Sequence, residues 1–421
     1  MFQDYKIITP NAKIKIWFRN SLHIMKAVIL AAGEGTRLKP FTESMPKVML
    51  PVANKPILSY TIEALKRNGI MDIVIVVGYK KESIMDYFGN GKEFGVRIEY
   101  VMQEKQIGTG HALLQAENYL DEDFILLPGD NIIDGGSISS LLKEDCEICM
   151  LVEKSTYPSK YGVVEVKEGM IKSMVEKPEI AETNIISTGI FKLPLSVFDF
   201  LKNNVKQGNN SITDSIQSMI DAGKNICAVS CKGKWMDIVY PWNWLEVNSK
   251  SLKNLSSVSG GKIEKNVVIK GDVIVGRDSI IHSGCYIAGP VVIGRGCEIG
   301  PNACIFSSTS IGDNVAIYPF TEIRHSIIMD GATIGSHSFV SKSIVGKGTK
   351  ISSRFSNIVG SAVIDIDGKF HRVGDIGTFI GEGCEIGDGV VITPGKIVGS
   401  NCQIEPLNLI NRNIPDRSKV I

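Results

Sequence analysis

Ile287-Ala288-Gly289-Pro290-Val291-Val292-Ile293-Gly294-Arg295-Gly296-Cys297-Glu298-Ile299 places three isoleucines six residues apart. The spacing continues in both directions, through Ile263, Ile269, Val275 and Ile281 on one side and Ile305, Ile311, Ile317 and Ile323 on the other. A one-residue shift then gives Ile328, Ile334 and Val340, and the period returns at Ile380, Ile386, Ile392, Val398 and Ile404. Glycine often follows at once, as at Gly276, Gly294, Gly300 and Gly312. A repeat this short is too brief for a helix pair. It is the hexapeptide pattern of a parallel β-helix, in which each coil stacks its aliphatic side chain on the last.

Upstream of the repeat, 249–260 is small and polar and reads as a linker, leaving 25–248 as a first domain and 261–421 as the β-helix, with an insertion near 353–378. The first domain alternates short apolar runs with amphipathic stretches: Asp72 to Gly78, Val96 to Val101 and Asp123 to Leu127 as strands, Ile57 to Asn68 as a helix stopped by Gly69. That alternation predicts an α/β fold with an open, mostly parallel sheet. Its first strand, Ala27 to Leu30, runs into Ala31-Ala32-Gly33-Glu34-Gly35-Thr36-Arg37. Two glycines let the backbone turn sharply and approach a ligand, and successive N–H groups there can cradle an anion. Arg37 and Lys47 add two cations, so the turn reads as a triphosphate grip. It lacks the Gly-Lys-Ser/Thr ending of a Walker loop, and Leu38 stands where a dinucleotide fingerprint needs its third glycine.

Gly33-x-Gly35-Thr36-Arg37 followed by Pro46-Lys47 resembles the signature of the sugar-1-phosphate nucleotidylyltransferases. The resemblance implies a Rossmann-like nucleotidyltransferase sheet, with Leu30, Ala32, Gly33, Gly35 and Thr36 at the nucleotide and Arg37 and Lys47 stabilising the departing pyrophosphate. Gln103 to Ala112, with Gln103, Gly108 and Thr109, resembles the uridine-reading segment of the bacterial N-acetylglucosamine-1-phosphate uridyltransferases. His111 is expected to start a helix and pack. Asp130, after Leu127-Pro128-Gly129, and Asp237, in Trp235-Met236-Asp237, match the family's magnesium-binding aspartates, and two carboxylates suffice for that ion. Gly162 would lie against the sugar, Glu176 would accept from its hydroxyls and Lys177 would hold its phosphate, with Gly189 beside them. Ser187 stands where many relatives have asparagine, which leaves the sugar open between glucose and N-acetylglucosamine. The nucleotide is expected to be UTP or dTTP. A mannose-1-phosphate guanylyltransferase is a weaker alternative.

The repeat resembles the left-handed β-helix, and such prisms usually trimerise, so a homotrimer is expected. Two-domain relatives also acetylate an amino-sugar phosphate with acetyl-CoA, using a histidine in a coil as base. His337 is the matching candidate. Its surroundings depart from that pattern: Ile351-Ser352-Ser353-Arg354-Phe355-Ser356 replaces the expected glycine-rich and Asn-x-Arg segments, and Asp375-Ile376-Gly377 stands where a lysine is expected. A bifunctional enzyme is therefore the second reading. A non-catalytic, nucleotide-sensing trimeric scaffold is the rival from another class.

Net charge is +1 and charged residues make up 22% of the chain, so bulk electrostatics give no reason to expect nucleic-acid or membrane binding. No run of about twenty apolar residues is present, so no membrane span is expected. Nine scattered cysteines suit a reducing cytoplasm. Cys146, Cys149, Cys227 and Cys231 are expected as buried free thiols rather than metal ligands. Residues 1–24 lack an uninterrupted apolar core for a signal peptide and read as an extension or a misassigned start ahead of Met25.

Overall fold

The computed structural model describes residues 25–421. The expectation for 1–24 lies outside them. Strand Lys26–Ala31 is the axis of a nine-stranded sheet. It pairs in parallel with Asp72–Val77 on one side and Phe124–Pro128 on the other. Arg97–Met102 extends the parallel edge. Beyond Phe124–Pro128, Ile185–Leu193 runs antiparallel, which makes the sheet mixed rather than wholly parallel. The alternation of the central strand divides the core. Ala27, Ile29 and Ala31 face Leu58, Ile62 and Leu65 of helix Ile57–Arg67, whereas Val28 faces Leu113 of helix Thr109–Gln115 and Phe198 beyond it. Both faces are therefore covered, and the C-terminal end of the parallel strands is left for a ligand.

The second domain is the expected left-handed parallel β-helix. Three parallel sheets hold eight, nine and eight short strands. One ladder shows the logic: Ile281 pairs with Ile299, Ile299 with Ile317, Ile317 with Ile334 and Ile334 with Ile351. Three hexads make a coil, so every third hexad aliphatic stacks on the same wall. The one-residue shift near Ile328 shortens a coil without breaking the ladder. The interior is a single column dominated by Ile and Val side chains, with Cys285, Cys297, Cys384, Cys402, Ala303, Ala332 and Phe355 among them. Ile263 and Ile269, the first two members of the repeat, are partly exposed because no coil precedes theirs.

Helix Pro241–Leu252 continues through residues 249–252, which were expected as linker, and the first coil strand is Val258–Ser259. The polar residues there are structural. Asn248 is fully buried; its Oδ1 accepts from the Ala53 amide and from Ser310 Oγ, both at 2.8 Å, tying the two domains together. Within 353–378, Gly360–Ile366 and Lys369–Ile376 form an antiparallel hairpin that leaves the prism. Its Ile364, Ile366 and Ile376 are buried in an apolar cluster shared with Leu38, Phe41 and Trp244 of the first domain.

The thiol expectation needs a correction. Cys146 and Cys227 form a disulfide, with Cα atoms 6.3 Å apart, while Cys149 and Cys231 are free. Strand Ile226–Ser230 pairs in parallel with Ile148–Lys154, setting Cys227 opposite Cys149 and close to Cys146. That register is a long-range fact with no local signal. No helix among the described residues is long and apolar enough to cross a membrane.

Candidate active site

A cavity of about 600 Å³ opens beyond the C-terminal ends of the parallel strands. Leu30, Ala32, Gly33, Gly35, Thr36 and Arg37 of the glycine-rich turn all line it. Gly35 has φ +76°, and a Cβ there would come within 2.8 Å of Lys47 Cβ. Glycine is thus required twice over, by the left-handed backbone and by the closeness of Lys47. The amide of Gly129 donates to Leu30 O at 2.8 Å, fixing the turn against the next strand end.

Lys47 follows Pro46 in a short 3-10 turn and reaches the cavity floor. Its Nζ lies 2.7 Å from Asp130 Oδ2 and 3.0 Å from Asp237 Oδ1. Trp235–Asp237 pairs antiparallel with Asn131–Ile133, and this ribbon is what brings two aspartates distant in sequence to one ammonium. Burial opposes the charge on Lys47, but Asp130 and Asp237 outweigh it and hold its pKa above the ordinary value. Burial raises the Asp237 carboxyl above the usual aspartate range, against the pull of Lys47. One ammonium between two carboxylates leaves an uncompensated negative charge. Oxygen donors with spare charge fit a divalent cation that completes its shell with phosphate and water. Beside them, burial pushes the Tyr161 phenol up to about 12, so it stays a neutral hydrogen-bond donor.

Gln103, Gly108 and Thr109 line another part of the cavity. Gln103 is 3% exposed, and its Nε2 donates to Gly108 O at 3.0 Å. A Cβ on Gly108 would collide with Asn210 O at 2.3 Å, so the loop passes a neighbouring backbone where only glycine fits. Gly162 and Glu176 are direct cross-strand partners. Glu176 Oε2 accepts from Thr213 Oγ1 at 2.7 Å and its Oε1 pairs with Lys177 Nζ at 2.8 Å. Lys177 holds φ +43°, a left-handed conformation that costs a non-glycine residue and is kept here at the cavity wall. Gly189, with φ +78°, completes this side.

Every first-domain residue expected at the nucleotide, the sugar phosphate or the metal thus lines one cavity. His337 does not. It is an exposed corner of the prism at φ +58°, with its ring stacked on Phe320 at 4.9 Å. Three residues of the cavity region were missed. Thr213 carries no motif and reaches Glu176 only through its helix. Lys160 lines the cavity and belongs to no motif. His111, read as packing, has Nδ1 2.9 Å from Gln103 Nε2; its spacing of eight from Gln103 was the available signal.

The nucleotidyl transferase family model matches residues 26–254. A model for the GMPPB C-terminal domain matches residues 287–372. The bifunctional protein GlmU of Methanococcus maripaludis strain C7 is 40% identical over 409 residues, covering 94% of this chain and 97% of its own. A bifunctional sugar-1-phosphate nucleotidylyltransferase/acetyltransferase of Sulfurisphaera tokodaii is 36% identical, covering 93% and 98%. A solved Bacillus anthracis structure, described as a glucose-1-phosphate thymidylyltransferase, is 26% identical with a TM-score of 0.51, covering 56% of this chain and 97% of that one. A cavity built at the strand ends from these motifs, and relatives matched across both domains, lead to one assignment: the chain belongs to the nucleotidyl transferase family, as a sugar-1-phosphate nucleotidylyltransferase with a C-terminal β-helix.

Proposed function

We propose that the cavity joins a pyrimidine nucleoside triphosphate, UTP or dTTP, to glucose-1-phosphate or N-acetylglucosamine-1-phosphate, releasing pyrophosphate. The observation that carries the reading is the contact of Lys47 with Asp130 and Asp237 in a cavity that also holds Gln103 and the Glu176–Lys177 pair. An oxygen of the sugar phosphate attacks the α-phosphorus, and the bond to the β-phosphate oxygen breaks. The attacker is already an anion, so no general base is needed and catalysis reduces to positioning and charge neutralisation. Lys177 aims the attacking phosphate. Glu176, held by Thr213, accepts from sugar hydroxyls. The glycine turn and Arg37 hold the phosphates of the nucleotide, and Lys47 stabilises the leaving pyrophosphate. Asp130 and Asp237 would hold magnesium, which when bound offsets charge on the phosphates.

The test crosses UTP, dTTP, CTP, GTP and ATP against four sugar phosphates, namely glucose-1-phosphate, N-acetylglucosamine-1-phosphate, glucosamine-1-phosphate and mannose-1-phosphate. Pyrophosphate release is measured with and without magnesium. Turnover confined to UTP or dTTP and lost without magnesium is expected. No turnover anywhere, from folded protein, would favour the scaffold reading. A second activity, acetyl transfer from acetyl-CoA to glucosamine-1-phosphate with His337 as base, is favoured by relatives called bifunctional that match over nearly the whole chain. The prism is further proposed to form a homotrimer, which sedimentation would measure, and the enzyme to work in the cytoplasm.

A further inference from the structure

The hairpin that leaves the prism ends beside the nucleotidyl-transfer cavity. Its buried isoleucines anchor it on the first domain. At its edge, the His371 ring lies 4.4 Å from the Tyr240 ring and 5.6 Å from that of Trp242. Tyr240 and Trp242 stack on each other at 4.6 Å, with their planes 17° apart. Lys160 Nζ sits between two rings, 4.9 Å from the Tyr157 centroid and 5.1 Å from that of Tyr240. Lys160 and Arg37 both line the cavity, and neither makes an ion pair among the described residues. They are close enough that burial and Arg37 together lower the Lys160 pKa. His371 lies in the same field: burial comes first, then Lys160, Lys369 and Arg37, and these hold its imidazole below the ordinary value against the single opposing carboxylate, Asp365. Its Nε2 is buried without a hydrogen-bond partner.

Two cations with no carboxylate to neutralise them, at the mouth of a cavity, make a place for a polyanion. An ammonium over an aromatic face is directed without being neutralised, since the ring offers a quadrupole and no charge. We propose that the prism hairpin completes the nucleotidyl-transfer site: Lys160 contacts the pyrophosphate portion of the nucleotide, and His371 is a positioning residue that holds Lys160 in place through Tyr240. The second domain then contributes to the first domain's reaction. This rests on the proposed reading of the cavity, and the test keeps the two apart.

Kinetic constants are measured on full-length protein, forward with the nucleoside triphosphate and in reverse with pyrophosphate, together with calorimetric binding of magnesium pyrophosphate. Lys160→Met is expected to raise KM for both phosphates about tenfold, the size of one charge-assisted contact. KM for the sugar phosphate stays within twofold. Lys160→Arg keeps most of the affinity. His371→Ala raises the same two constants roughly threefold, and His371→Phe, which retains a ring against Tyr240, restores them. Unchanged phosphate constants in folded Lys160→Met, or a rise confined to the sugar phosphate, would overturn the proposal. No rescue by His371→Phe would remove His371 from it. Should the wild type turn over no pair of substrates while Lys160→Met still weakens pyrophosphate binding, the activity reading fails and the phosphate site stands.

Discussion

The side-chain nitrogen of Gln103 sits 3.0 Å from the carbonyl of Gly108 and 2.9 Å from Nδ1 of His111. A carbonyl can only accept, so the nitrogen end of the amide faces it, and the second amide hydrogen is left for an accepting Nδ1. Both hydrogens are committed. What Gln103 can offer a ligand in the cavity is therefore Oε1, an acceptor. Uracil, thymine and guanine present a ring N–H to such a group, whereas cytosine and adenine present a lone pair. The Gly108 carbonyl thus sets which end of the amide faces the base, and His111 takes up the hydrogen that remains. UTP or dTTP is expected to be used and CTP rejected. His111→Leu leaves the Gly108 contact but removes the second anchor of the amide, so the ratio of kcat/KM for the preferred pyrimidine over CTP is expected to fall by about threefold. A ratio unmoved in folded His111→Leu would remove that role.

Lys47 supports a prediction with a pH signature. Its pKa is raised because Asp130 and Asp237 outweigh the burial that opposes its charge. A cation with a raised pKa keeps its contribution at and below neutral pH and loses it only as pH climbs through the raised value. The alkaline side of the activity profile should therefore stay flat through pH 9. The acid side is different. Burial raises the metal-free Asp237 carboxyl, whereas bound magnesium opposes its protonation, so activity at acid pH should be lost first at low magnesium and be restored by adding it. Lys47→Met is expected to lower kcat by about 10²–10³-fold, as loss of an oriented charge at a reacting phosphate does. Normal turnover in Lys47→Met would sink its role.

Asn248 makes the domain interface testable apart from catalysis. Its Oδ1 serves the Ala53 amide in one domain and Ser310 Oγ in the other, with no exposure to water. Asn248→Ala strands a buried N–H and a buried hydroxyl. The expected cost is about 2–4 kcal/mol, read as a lower midpoint in thermal or denaturant unfolding. Ser249 Oγ meets Ser308 Oγ at 2.8 Å in a less buried setting, and either oxygen can turn to water. Ser249→Ala should change stability by less than about 1 kcal/mol.

These residues also mark how far the sequence could be read. The prism was legible because its coil is local: each hexad aliphatic meets the one eighteen residues on, so a one-dimensional period records the fold, as Ile281, Ile299 and Ile317 show. The glycine turn was legible because steric demands on Gly35 leave a composition signature. Asn248 was not, since a polar residue near a domain boundary looks the same whether it bridges two domains or faces water. The Cys146–Cys227 disulfide and the seat of His371 on Tyr240 depend on strand register and on where an insertion folds back. Neither leaves a periodic trace.

At His337 the two reactions can be separated. It lies outside the nucleotidyl-transfer cavity, so His337→Ala should leave pyrophosphate release unchanged. Its left-handed φ of +58° is a strain that alanine shares, and the stacked ring on Phe320 is lost, so a stability change of about 1 kcal/mol is expected. If His337 is the base for acetyl transfer, the same variant should reduce acetylation of glucosamine-1-phosphate by at least about a hundredfold, the usual worth of a general base. His337→Gly separates chemistry from strain. It suits the left-handed backbone and has no imidazole, so stability should recover while acetylation stays lost. Acetylation retained in both variants would return His337 to a plain corner of the coil.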